Sequence, residues 1–189
     1  TAHVEMDASK TVVVLLTQTG ATGSESSSQS SSNPIGPTLA SLVERIRPSV
    51  VQIRTSEGSG SGFIFETDYA NATALVLTNA HVVKEARNVD VIVDDLKTLN
   101  GKVLGVKVDQ DLAVIEICCG RFQSLEFGDG EKLSEGTDVV AMGYPAKTYG
   151  RASVTKGIVS RNFYDVRYHR WEIQTDAALN PGNSGGPLL

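Results

Sequence analysis

Hydrophobic residues recur at helical spacing in one stretch near residue 40, ahead of a long series of shorter apolar runs. The stretch follows Thr38, and Pro48 ends it. Its apolar positions are Leu39, Leu42, Val43 and Ile46. Apolar residues spaced three and four apart form one face of a helix, so the pattern predicts a short amphipathic helix.

Short apolar runs separated by polar turns fill most of the chain after Pro48. The first series is Val50–Arg54, Phe63–Phe65, Leu75–Thr78, Val89–Val93, Lys102–Val108 and Ala113–Ile117. After Gly120 the second series is Leu125–Phe127, Val139–Gly143, Ser153–Ser160, Trp171–Thr175 and the start of a strand at Pro187. Many short strands at such spacing are typical of antiparallel barrels. The glycines of residues 56–62 predict a tight turn near a cleft; a phosphate-binding loop would also need a lysine and a following helix.

The first 36 residues predict a flexible tail ahead of a folded domain at 37–189. Residues 22–32 are almost entirely serine with Gly, Glu and Gln, a composition that cannot bury apolar surface. Such a stretch fits either a tether to an upstream membrane anchor or a disordered tail. The apolar run Val12–Leu16 is too short to span a bilayer, and no complete signal peptide is visible.

Charge and composition exclude several functions. The 189 residues carry a formal net charge of −5 with scattered basic residues, which argues against a nucleic-acid surface. No His, Cys and carboxylate set shows metal-ligand spacing and no phosphate loop precedes a helix, so we expect neither metal nor cofactor. Cys118 and Cys119 are the only cysteines. Adjacent strand residues point to opposite faces, so we expect small buried hydrophobes rather than a disulfide.

The segment D-A-A-L-N-P-G-N-S-G-G-P-L-L at residues 176–189 surrounds Ser184 with glycines. A serine nucleophile needs a base to take its proton and donors to hold an oxyanion. The N–H groups of Gly182 and Ser184 could converge on one point, because glycine adopts conformations closed to other residues. A plain turn between strands is the alternative. The nucleophile elbow G-x-S-x-G is another, but an elbow precedes a helix, and here Pro187 follows within three residues.

The order of chemically suited residues favours a triad. His81 follows an apolar run at the end of a strand, whereas His3 and His169 lie in polar or charged segments. Asp111 opens a strand that runs into the core, with Asp109 as the rival acid. A histidine at a strand end, taken alone, is as readily structural, and either aspartate could cap a turn. The order His, Asp, Ser is that of chymotrypsin-like barrels.

The segments L-T-N-A-H-V-V, D-L-A-V-I-E-I, G-Y-P and residues 174–189 resemble those of HtrA (Deg) serine proteases. The resemblance covers about residues 37–189. It implies an all-β fold of two six-stranded antiparallel barrels, with the first at 37–120 and a partial second at 121–189. It also implies a serine endopeptidase in which His81 is the base, Asp111 orients it and Ser184 attacks. Gly182, Asn183 and Ser184 would form the oxyanion hole.

The resemblance also implies how the enzyme is used. Ala178, six residues before Ser184, stands where trypsin has its acidic pocket floor, which implies a preference for small aliphatic residues. Asn183 cannot form the ion pair that activates digestive enzymes after propeptide cleavage. Substrates would be unfolded or damaged proteins outside the bacterial cytoplasm, in protein quality control. Trimers or higher oligomers, an upstream membrane anchor and a downstream PDZ domain are further features of the family.

In the resembled fold about two more strands follow the serine, beyond the position of Leu189. The second barrel should therefore have an unpaired edge, and the segment by itself should be poorly stable and weakly active. The alternative of another class is a catalytically silent trypsin-fold module that binds polypeptide without cutting it.

Overall fold

The computed structural model describes residues 38–94, 96–146, 150–167 and 170–189, together with the backbone of 2–6 and 10–13. Two strands precede the first helix, namely β1 (Ala2–Met6) and β2 (Lys10–Val13). The remaining elements are α1 (Leu39–Ile46), β3 (Val50–Thr55), β4 (Gly58–Asp68), β5 (Thr73–Thr78), α2 (Ala80–Val83), β6 (Asn88–Val93), β7 (Lys97–Lys107), β8 (Leu112–Cys118), β9 (Asp138–Gly143), β10 (Ser153–Asp165) and β11 (Arg170–Thr175).

Helix α1 forms where the sequence predicts it. The Thr38 hydroxyl accepts a hydrogen bond from the Ser41 N–H at 3.2 Å, which satisfies one of the free donors at the helix start. Val43 and Ile46 are buried. After Ile46 the chain continues into a 3₁₀ turn over Arg47–Ser49, so Pro48 lies within that turn rather than directly at the helix end.

Six strands close into the predicted first barrel, in the order β3-β4-β5-β8-β7-β6. All neighbouring strands are antiparallel, and β6 pairs with β3 to close the ring. The interior is packed with aliphatic side chains, chiefly Val51, Ile53, Ile64, Val76, Val91, Ile115 and Ile117. An all-β fold with a closed antiparallel barrel and a short N-terminal helix is therefore confirmed.

Strand β4 corrects the prediction of a glycine-rich turn. Only Ser56 and Glu57 form the turn, and the following glycines are part of a strand that runs to Asp68. A Cβ on Gly62 would lie 2.8 Å from Ile53 Cδ1 and from Val76 Cγ1. The glycines are present because the barrel wall is tightly packed there, which a composition argument cannot distinguish from a turn.

We expect Gly62→Ala to lower the free energy of unfolding by about 1–3 kcal/mol, because the added methyl group overpacks the barrel. Gly58→Ala is the matched control on the same strand, since a Cβ there meets nothing within 4 Å. Urea unfolding with an unchanged m-value measures both. Equal midpoints for the two variants would contradict this account of the glycines.

Two further strand predictions need correction. Leu125–Phe127 is not a strand; its Leu125 N–H donates to the Ile64 carbonyl at 2.8 Å, and Phe127 packs against Phe63 and Phe65. The run is apolar because it covers an aromatic cluster. Strand β7 begins at Lys97 rather than at Lys102, because its polar first half pairs with β6 on an exposed hairpin.

The second half forms an open sheet in the order β2-β1-β11-β10-β9. The chain end continues this half, with the Leu189 N–H and C=O both bonded to Val140 of β9 at 2.9 Å. The sequence predicted an unpaired edge in the second barrel without naming its strand; the sheet is open, and β11 pairs in parallel with β1. The serine-rich stretch 22–32 lies outside the described residues, so its flexibility stays a prediction, whereas residues 2–6 and 10–13 of the predicted tail are strands.

A shared apolar cluster joins the two halves. It combines residues of α1, of the barrel and of β9, including Ile46, Phe63, Leu77, Met142 and Tyr144. This packing holds the second half against the first, so the loops that leave each half meet on one side.

The cysteines do not follow the sequence prediction. Both Cys118 and Cys119 are exposed. The alternation along β8 buries Ala113, Ile115 and Ile117, which turns Cys118 outward. Cys119 lies beyond the strand with a φ of 71°. Neither residue is part of the core.

Candidate active site

His81 lies in the first turn of α2, directly after β5 ends at Thr78. Asn79 stands before this turn, and its amide donates to the Asp111 carbonyl at 2.8 Å. The contact ties the segment that carries His81 to the segment that carries Asp111. The two residues are 30 positions apart in sequence, yet β5 and β8 are neighbours in the barrel.

The Asp111 carboxylate holds His81 at two atoms. Oδ2 lies 2.7 Å from the ring Nδ1, and Oδ1 accepts the His81 backbone N–H at 2.9 Å. The side chains are partly accessible, 45% for His81 and 24% for Asp111. A carboxylate beside Nδ1 fixes the proton there and leaves Nε2 as the free base.

Local backbone geometry aims Asp111 inward. A 3₁₀ turn over Val108–Gln110 precedes it, and Asp111 itself adopts the left-handed conformation with φ 53° and ψ 45°. Aspartate tolerates this conformation better than most residues. The rival Asp109 lies within the 3₁₀ turn, is exposed and has no hydrogen bond to His81. Of the two acids, the structure brings only Asp111 to the histidine.

Ser184 lies in a buried loop built from two tight turns. The Asn183 N–H donates to the Asn180 carbonyl at 3.0 Å, and the Gly186 N–H donates to the Asn183 carbonyl at 2.9 Å. Gly182 has φ 100°, and a Cβ there would lie 2.3 Å from the Ala146 nitrogen. Only glycine fits this position. The loop leads to the bridge between Leu188 and Ala141 rather than to a helix, which excludes a nucleophile elbow.

Ser61 anchors this loop to the first barrel. Its hydroxyl donates to the Gly182 carbonyl and accepts the Tyr144 N–H, both at 2.7 Å. Its backbone N–H donates to the Ser184 carbonyl at 2.8 Å. Ser61 is fully buried, and sequence analysis missed it. Its one signal is position: a serine between Gly60 and Gly62, in a strand whose glycines permit close approach of another backbone.

Two backbone donors in the serine loop are unused. Among the described residues, the N–H groups of Gly182 and Ser184 have no acceptor, although both residues are buried. The Pro181 carbonyl accepts the Ala146 N–H at 2.6 Å, which directs the trans Pro181–Gly182 peptide so that the Gly182 N–H points the other way. Buried N–H groups are almost always bonded, so two free ones side by side indicate a site for a negative atom.

Asn183 lies between these donors and is 3% exposed. Its side-chain Oδ1 is buried without a hydrogen-bond partner among the described residues. The residue therefore holds the turn through its backbone and makes no ion pair.

His81 and Ser184 line one open cleft of about 230 Å³ between the two halves. The His81 ring and the Ser184 hydroxyl do not share a hydrogen bond in the described part of the chain. In unliganded enzymes such bonds are often long and tighten only with substrate. The rest of the lining is Thr55, Glu57, Gly58, Ser59, Val82, Lys84, Pro181 and Gly182.

Other candidates do not reach the cleft. Ala178 is exposed and is not among the residues that line it, so its role as a pocket floor stays a prediction. His169 lies outside the described residues, and only the backbone of His3 is described. Within the described ranges, no group of three His, Cys, Asp or Glu side chains could hold a metal ion. No helix in that part of the chain is long and apolar enough to cross a membrane.

Comparisons with known proteins agree with this geometry. The trypsin-like peptidase domain family matches residues 60–189. A putative serine protease HhoB from Synechocystis is 39% identical over 144 residues, covering 70% of this chain and 32% of that protein. A probable periplasmic serine endoprotease, DegP-like, from Chlamydia trachomatis is 40% identical over 134 residues, covering 69% of this chain and 25% of that protein.

A solved structure supports the same relation. The HtrA-type protease AlgW with tripeptide superposes with a TM-score of 0.71 at 31% identity, covering 81% of this chain and 50% of that one. The chain spans about a third or less of the length of the curated relatives it matches.

Proposed function

This chain belongs to the trypsin-like peptidase family, within its HtrA (Deg) branch, and from that premise we propose that it is a serine endopeptidase working through His81, Asp111 and Ser184. The main support is that the Asp111 carboxylate makes hydrogen bonds with both the ring Nδ1 and the backbone N–H of His81, beside the cleft that Ser184 lines. A structural histidine needs only one such bond, whereas a general base needs its tautomer and its orientation fixed.

Each group then has a defined step. His81 Nε2 takes the Ser184 proton as Oγ attacks the peptide carbonyl carbon, and the carbonyl oxygen becomes an oxyanion. The free N–H groups of Gly182 and Ser184 receive that charge, with Asn183 holding the turn between them. The imidazolium next gives its proton to the leaving amine. Water then hydrolyses the acyl-enzyme, with His81 again acting as base.

Two unused donors suit an oxyanion, and their position depends on contacts outside the loop. Ser61 fixes the Gly182 carbonyl, and Ala146 fixes the Pro181 carbonyl. Both anchors come from outside the 176–189 segment. Preorganised donors of this kind are worth about 3–4 kcal/mol of transition-state stabilisation each.

The open cleft supports extended polypeptide as the substrate. His81 is exposed in the open cleft between the two halves, so an unfolded segment can reach it without entering a closed pocket. Unfolded or damaged proteins are thus the proposed substrates. The preference for small aliphatic residues through Ala178 rests on the family resemblance alone, since Ala178 does not line the cleft. The relative named periplasmic supports an extracytoplasmic location. A homotrimer, a membrane anchor and a PDZ domain rest on the family resemblance alone.

One observation favours the second candidate, a silent polypeptide-binding module. The Ser184 hydroxyl and the His81 ring are not hydrogen-bonded to each other in the described contacts. Such a protein would keep the cleft and bind an extended peptide without forming an acyl-enzyme.

A fluorophosphonate probe separates the two functions, because it reacts covalently only with an activated serine. We expect labelling at Ser184, its loss in Ser184→Ala and a sharp decrease in His81→Ala. Ser160→Ala, at an exposed serine on β10, is the control and should label like the parent protein. A folded parent protein that binds peptide but takes up no probe would support the binding module instead.

A further inference from the structure

The two cysteines occupy the end of β8 opposite to Asp111. Asp111 directly precedes the strand and belongs to the proposed active site, and Cys118, the last residue of the strand, lies seven positions further along. At about 3.3 Å per strand residue, the two sites lie on the order of 20 Å apart. Both thiols are exposed to solvent.

The backbone at Cys119 breaks the alternation that would place the two thiols on opposite faces. Cys119 lies in the left-handed region at φ 71°, which ends the strand alternation after Cys118. The neighbouring Cys119 raises the pKa of the Cys118 thiol, so the two side chains interact. The turn is fixed on both sides, since the Cys119 N–H donates to the Ala72 carbonyl at 2.9 Å and Lys97 Nζ donates to the Cys119 carbonyl at 3.1 Å.

We propose that Cys118 and Cys119 form a reversible redox site, a vicinal dithiol that a hydroperoxide oxidises to a disulfide. One thiolate attacks the peroxide oxygen, which gives a sulfenic acid and, with a proton, one molecule of water or alcohol. The second thiol then attacks the sulfenic sulfur, and hydroxide leaves as a second water. Two S–H bonds break and one S–S bond forms. The two electrons lost by the sulfurs reduce the peroxide O–O bond.

The surroundings assign an order to the two sulfurs. The hydrogen bond to Cys119 raises the pKa of the Cys118 thiol, with a contribution from burial, while the Lys97 ammonium acts in the opposite direction. A thiol with a raised pKa is the poorer nucleophile, so Cys118 suits the role of the resolving thiol, and Cys119 is then the sulfur that attacks the peroxide.

The product would be easily reduced again. Across a trans peptide, neighbouring Cα atoms are about 3.8 Å apart, closer than the roughly 4.4–6.8 Å usual for disulfides. Strained and exposed disulfides have the higher reduction potentials, typical of labile and regulatory bonds. The pair therefore suits a switch that responds to oxidant rather than a permanent staple.

The test treats the protein with hydrogen peroxide and counts alkylatable thiols with iodoacetamide. We expect the count to fall from two per chain to none, with the loss of two hydrogen atoms in the peptide that contains both cysteines. Dithiothreitol should restore both thiols, and a non-reducing gel should show no dimer. In Cys118→Ser, dimedone should trap a sulfenic acid at Cys119.

The single variants Cys118→Ser and Cys119→Ser serve as controls that lack one of the two thiols. Cys118→Ser and Cys119→Ser replace exposed thiols, so circular dichroism should show an unchanged fold, and neither can lose two hydrogen atoms. The proposal is overturned if the parent protein only gains oxygen atoms, or forms only disulfides between chains. It is equally overturned if both thiols stay alkylatable at peroxide exposures that oxidise free glutathione.

Discussion

Replacing Ser184 with alanine is expected to lower kcat for an unfolded protein substrate by about 10⁵–10⁶-fold, the size of the loss when a triad serine is removed. The reason is chemical. Without Oγ no acyl-enzyme forms, and the free Gly182 and Ser184 N–H groups can assist only direct attack by water. Release of fluorescence from a quenched, unfolded polypeptide measures the rate, and binding of the same polypeptide should change little, since the loop backbone is kept.

The double variant sharpens this result. Residues that act as one unit give strongly non-additive losses, so His81→Ala combined with Ser184→Ala should be no slower than Ser184→Ala alone. Ser160→Ala should retain the parent rate, since it lies on the exposed face of β10. If Ser184→Ala keeps more than a small residual rate, or if the two losses multiply, Ser184 is not the nucleophile of a His81-assisted reaction.

The barrel was predictable because period-2 alternation is strong where one face of a strand is buried. In β8 the alternation of Ala113, Ile115 and Ile117 with outward residues fixed both the strand and its register. The prediction for the first half of β4 was wrong because Gly60 and Gly62 carry no side chain that could show an alternating pattern. Glycine is needed at both positions because side chains distant in sequence pack against them, and no local pattern shows those contacts. The start of β7 was predicted too late for a related reason, since its polar first residues pair with β6 without burying one face of the strand.

For the candidate site, the order of His81, Asp111 and Ser184 along the chain predicted the residues, but the sequence did not predict which side chains lie in contact. The sequence named Asp111 and Asp109 as rival acids, and the left-handed turn at Asp111 brings that carboxylate to His81. Ser61 escaped notice because its partners, Gly182 and Tyr144, lie 121 and 83 residues away. The cysteines were wrongly assigned to the core on residue type; the alternation of β8 turns Cys118 outward, and Cys119 leaves the strand conformation.

Asp111→Asn is expected to lower kcat by about 10⁴-fold with KM nearly unchanged, the loss seen when the acid of a triad becomes an amide. The two hydrogen bonds to His81 give the reason. Both the backbone N–H and the ring Nδ1–H point at carboxylate oxygens, at 2.9 Å and 2.7 Å. An amide has one oxygen, so if it accepts the backbone N–H, its NH₂ group faces Nδ1. The ring must then carry its proton on Nε2, where it cannot accept the proton of Ser184.

Asp109→Asn is the matched control, because it makes the same change two residues earlier at an exposed position without a bond to His81. It should keep kcat within about twofold, as surface substitutions away from a site usually have small effects. The tautomer itself is observable, since the imidazole ¹⁵N shifts should show the proton moving from Nδ1 to Nε2 in Asp111→Asn and staying in place in Asp109→Asn. If the two variants lose activity equally, or if the ring keeps its tautomer while activity falls, Asp111 acts on the fold and not on the base. The two backbone-fixed contacts would then be a structural clamp, and the cleft would need another general base.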